Sequence, residues 1–85
     1  MYVGIKNVKP LPEYKLLLIF DNDEQKVFDV APYLDQGVFK ALREVSLFNS
    51  VRVQFDSVEW PNGADLDPEE VYEKSVAEEV GKVAG

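Results

Sequence analysis

Apolar and polar positions change period several times along the chain, and each change marks an element. Residues 2 to 9 mix β-branched and aromatic residues with lysine, predicting a strand that ends where Pro10 and Pro12 remove ladder donors. Tyr14 to Phe20 is the clearest strand: Tyr14, Leu16, Leu18 and Phe20 fall on one face, Leu17 and Ile19 on the other. Apolar cover on both faces places it centrally in a sheet. Asp21 to Glu24 is a polar turn, and Gln25 to Val30 completes a β-hairpin.

The period then lengthens. Ala31-Pro32-Tyr33-Leu34 suits one helical turn, with Asp29 as cap acceptor and Gly37 as its end. Val38, Leu42 and Val45 form a helical stripe with Phe39 alongside, predicting a short amphipathic helix over residues 38 to 45, with Phe48 plugging it onto the core. Val51, Val53 and Phe55 return to strand alternation, and a turn at Asp56-Ser57 leads into Val58-Glu59-Trp60 as a second hairpin. Asp67, Pro68 and Glu70 carry the signature of a helix start: N-cap, first helical position and capping-box partner. Val71, Tyr72, Ser75, Val76 and Val80 give that helix a docking face.

With 85 residues there is room for one core, and Leu, Ile, Val and Phe make up about a third of the chain, enough to fold. The expectation is a single small α+β domain over residues 1 to 80 with a frayed tail at 81 to 85. It is two-layered: a small antiparallel sheet of two hairpins plus the N-terminal strand, packed with two short helices.

Histidine and cysteine are both missing, which excludes imidazole-based hydrolysis, zinc sites of the usual ligand types and thiol redox chemistry. Asp21 to Glu24 and Asp65 to Asp67 offer oxygen ligands but lack the glycine and spacing of an EF-hand loop. No metal, cofactor or catalytic residue is therefore assigned. A carboxylate pair from Glu59, Asp65 and Asp67 has no spacing that fixes a catalytic separation, and the four tyrosines read as core-edge residues. The longest apolar run is Leu16 to Phe20, too short for a membrane span, and the cytoplasm is the expected location.

Charge is distributed unevenly. Sixteen acids against nine bases give a net charge of −7, yet residues 1 to 55 are balanced and the whole excess lies in residues 56 to 85. That sign opposes nucleic-acid or anionic-membrane binding. It suits a small basic protein partner, with Glu69, Glu73 and Glu78 chosen as partner-facing because they avoid the apolar stripe of the last helix. Solvated charge that serves only solubility is the plainer alternative. An exposed sheet edge would also permit a homodimer.

Special residues concentrate in Trp60-Pro61-Asn62-Gly63-Ala64-Asp65-Leu66. Structurally, Trp60 brings a large area to bury, Asn62-Gly63 supplies a turn and Asp65 can accept backbone N–H bonds. Functionally, Trp60, Asn62 and Asp65 could line a ligand or partner pocket. Together with Asp29-Val30-Ala31-Pro32, Gly37-Val38-Phe39, Phe48 and Asp67-Pro68-Glu69, the motif W-P-N-G-x-D-L-x-P-E resembles the bacterial family called domain of unknown function 2442, over roughly residues 3 to 75. That resemblance implies a small α+β fold and a regulatory or antitoxin-like role beside a small partner protein. It carries no catalytic residues, and the helix-turn-helix extension of some relatives is not expected here. The expected function is thus a noncatalytic protein-interaction module, with a small-molecule-binding domain built on the Trp60 to Asp65 loop as the alternative.

Overall fold

The computed structural model of the protein describes residues 3–77. Strands β1 (Ile5–Leu11), β2 (Lys15–Phe20), β3 (Gln25–Asp29) and β6 (Val76–Ala77) form an antiparallel sheet in the order β1-β2-β3-β6. Strands β4 (Arg52–Gln54) and β5 (Ser57–Glu59) pair in a separate two-stranded sheet. Two helices follow the sequence order: α1 (Val45–Phe48) and α2 (Pro68–Lys74). This is the small antiparallel sheet with short helices that defines a compact α+β fold. No described helix is long and apolar enough to cross a membrane.

Alternation in β2 builds the core. Leu16, Leu18 and Phe20 are fully buried on its inner face, while Leu17 and Ile19 are half-buried on the outer one. Phe28 of β3, paired with Leu16, widens that face, and Trp60, Phe48, Leu42, Val58 and Val71 complete the core with it. β2 is central, as its two-sided apolar pattern requires, paired with the N-terminal strand β1 on one side and with β3 on the other. β1 runs through Pro10 to Leu11 because it is an edge strand, where a missing N–H interrupts no second ladder.

Three further expectations are corrected. The stretch from Gly37 to Arg43 is a 3-10 helix, which Gly37 begins at φ +45° rather than ending the preceding turn at Ala31–Tyr33. Three residues per turn align Phe39 with Leu42, and extended Glu44 breaks the helix before α1, so Val38 and Val45 are exposed instead of forming a buried stripe. In the second hairpin the two-residue turn is Phe55-Asp56, both at positive φ, one position earlier than the sequence pattern suggests. A one-residue shift turns Phe55 from an inward strand position into the hairpin tip.

The third correction concerns α2. Asp67 caps it by accepting from the Glu69 backbone N–H at 3.0 Å, and Pro68 opens it. Ser75 is already extended, however, and Val76 pairs with Val27 of β3 instead of continuing the helix. A β-branched residue is more at home in that edge position. Val80 and the tail at 81 to 85 lie outside the described residues.

Candidate functional site

The motif loop is constructed from the inside outward. Trp60 is wholly buried, its ring edge-on to Phe39 and tilted against Phe48, and its Nε1–H donates to the Phe48 carbonyl at 2.9 Å. Pro61-Asn62-Gly63 then reverses the chain: the Trp60 N–H donates to the Ala64 carbonyl, the Gly63 N–H to the Trp60 carbonyl, and Gly63 takes φ +94°. Asn62 ties this turn to its surroundings, accepting from the Ala64 N–H and donating through Nδ2 to the Val38 carbonyl, each at 3.2 Å. Of the residues chosen from the sequence as ligand or partner contacts, Trp60 is thereby enclosed in the core, whereas Asn62 braces the turn and stays exposed at the surface. A ligand cannot reach the indole, and the loop loses its aromatic surface as a small-molecule pocket.

Asp65 differs from both. Its backbone bridges to Glu59, extending the β5 side of the small sheet, and its side chain is exposed with no hydrogen bond or ion pair among the described residues. The Leu66 N–H donates to Val58, and the buried Ser57 hydroxyl donates to the Leu66 carbonyl. Hairpin and loop are thus fastened side by side, with a cleft of about 520 Å³ between them. Half-buried Leu66 and Pro68 give it an apolar floor, and Glu59, Asp65 and Asp67 line it without any basic residue. Arg52 stands across the hairpin from Glu59 but forms no ion pair with it.

Phe55 stands at the lip of this cleft, 88% exposed at φ +52°. A bulky residue is unfavourable at positive φ, where Asn or Gly is the usual occupant of such a hairpin turn. The tip is also fixed. The Ile5 N–H donates to the Asp56 carbonyl at 2.8 Å, and Asp56 packs so tightly on Gly4 that a Cβ there would lie 3.1 Å from the Asp56 Cβ. Sequence reading missed Phe55 because its alternation with Val51 and Val53 matches a buried strand face.

The acidic helix positions are brought together in part. Glu69 and Glu73 are both exposed and, four residues apart, share one face of α2. Neither has an ion-pair partner among the described residues. Glu78 lies outside the described residues. Glu70, expected as a capping-box residue, turns instead to a second cleft of about 540 Å³ beside Phe28 and Pro32. There its Oε2 accepts from the Tyr33 hydroxyl at 2.8 Å and from Lys74 at 3.2 Å. The Tyr33 hydrogen bond, then Lys74, holds the Glu70 carboxyl below its ordinary range, while burial and the same bond push the Tyr33 phenol up. Lys74 is raised by its bond to Glu70. This triad fastens α2 to the turn after β3. Among the described residues, no group of three or more acids is arranged to hold a metal ion.

Fold and surface define a small α+β domain whose motif loop is anchored by buried Trp60 and whose acids line an open cleft with Phe55 at its lip. A family model described as Protein of unknown function (DUF2442) matches residues 5–77, and the chain belongs to that family. Comparison with curated proteins and with solved structures finds no match.

Proposed function

We propose that this chain is a noncatalytic protein-interaction module that binds a small basic protein, acting as the regulatory, antitoxin-like half of a two-protein system. The observation that carries the reading is the uncompensated acid surface of the last third. Among the described residues, Asp56, Glu59, Asp65, Asp67, Glu69 and Glu73 enter no ion pair, whereas Glu70 alone in that stretch has a lysine partner. A surface of one sign steers an oppositely charged partner and raises its encounter rate. The motif loop supports this role indirectly, because Trp60 and Asn62 make the platform rigid and so limit the ordering that binding requires.

The test is capture from the source cell by immobilised protein. Wild type is expected to retain one basic protein in stoichiometric amount, and the paired reversal Glu69→Lys, Glu73→Lys to lose it. A control reversal at Glu13 and Glu44, on the charge-balanced part of the chain, is expected to keep it. Retention by both variants, or no stoichiometric protein with wild type, contradicts the proposal.

A further inference from the structure

The acid surface says what charge a partner carries, and the cleft beside Phe55 says how it is gripped. Resting on the interaction reading above, we infer that this cleft is the docking pocket and that it receives an arginine side chain of the partner, flanked by apolar residues.

Three features converge on that chemistry. Phe55 presents an almost fully solvent-exposed ring, and its hairpin tip is held against the N-terminal strand by the Ile5 to Asp56 hydrogen bond, so the ring is displayed from a fixed mount. A guanidinium stacks on an aromatic face and is less strongly hydrated than an ammonium, which favours arginine over lysine at such a site. Asp65 and Glu59, bridged through their backbones on the same side of the cleft, have side chains without hydrogen-bond partners among the described residues. A planar guanidinium can pair with carboxylate oxygens in a bidentate manner. Leu66 and Pro68 offer apolar floor to the residues on either side. Charge complementarity thus selects a basic segment, and the ring selects the planar cation.

A defined probe separates this inference from the broader reading. Nitrogen-15-labelled protein is titrated with the capped peptide Gly-Leu-Arg-Leu-Gly and with versions carrying lysine or citrulline in place of arginine. The arginine peptide is expected to give saturable shifts at the amides of Phe55, Glu59 and Asp65, with lysine about tenfold weaker and neutral citrulline silent. Phe55→Asn, which suits the positive-φ turn and therefore keeps the fold, is expected to weaken the arginine peptide about tenfold as well. Equal binding of arginine and citrulline overturns the inference, as does binding unchanged in Phe55→Asn. Shifts confined to Glu69 and Glu73, equal for lysine and arginine, overturn the pocket while leaving the acidic-surface reading in place. Absence of saturable shifts with every peptide also overturns the pocket, and the capture experiment then decides the broader reading by itself.

Discussion

Trp60 and Phe55 belong to neighbouring segments of the second hairpin yet answer to opposite demands. Trp60 is the largest fully buried side chain, and its N–H satisfies a buried carbonyl of α1. Trp60→Ala should cost about 3 to 5 kcal/mol, against a total stability of roughly 5 to 15 for a domain of ordinary size. Denaturant melts measure this directly, and a loss below about 1 kcal/mol would show that the ring contributes little to the core. Phe55 buries almost nothing and holds an unfavourable backbone conformation. Phe55→Asn should therefore leave stability unchanged or raise it by about 1 kcal/mol. A destabilised Phe55→Asn would mean that the ring supports the fold. The role of Trp60 was legible because indole, proline, asparagine and glycine in sequence each have a strong local meaning. Phe55 was not legible, since its apolar alternation with Val51 and Val53 reads the same whether the turn falls at residues 55 and 56 or one position later.

Among the elements, α2 is the one whose attachment depends on titrating groups. Glu70 is held below its ordinary range by Tyr33 and Lys74, and Glu24 likewise by the Tyr72 hydroxyl and Asn22. A group with a depressed folded value stabilises the fold above its unfolded value and ceases to do so as pH falls through the folded one. The contribution of Glu70 should thus be complete near neutrality and disappear on acidification below the ordinary glutamate value of 4.5. Tyr33 and Lys74 are raised, so their part is lost only at strongly alkaline pH. Thermal melts of wild type and Glu70→Gln should differ at pH 7 and converge toward the acid end; a constant difference across that range would contradict the triad. The start of α2 was legible from Asp67 and Pro68. Its end was not, because Lys26, which lies 3.8 Å over the Tyr72 ring and donates to the Tyr72 carbonyl, and the free edge of β3 act from far away in sequence. The same distance dependence explains Glu70: a capping box is a local pattern, whereas the Tyr33 hydroxyl that draws Glu70 away is tertiary.

At the scale of the molecule, the two hairpins foreseen from the pattern are present but occupy different sheets, since nothing in a strand's own alternation states which edge it joins. The outer edge β1 carries a register shift between Ile5 and Asn7, together with Lys6, Lys9 and Pro10, features that discourage a further strand from pairing there. The charge asymmetry was fully legible, and the structure adds that most acids of the described last third have no ion-pair partner among the described residues. The central claim is that this excess exists for a partner and not for solubility alone. Stopped-flow association of the captured partner, followed at rising ionic strength for wild type and for Glu69→Lys, Glu73→Lys, tests it most directly. As the Debye length falls from about 30 Å at 0.01 M salt to about 10 Å at 0.1 M, the wild-type rate should drop steeply, and the variant should associate more slowly with a shallower slope. Equal rates and equal salt slopes for the two proteins would contradict the account.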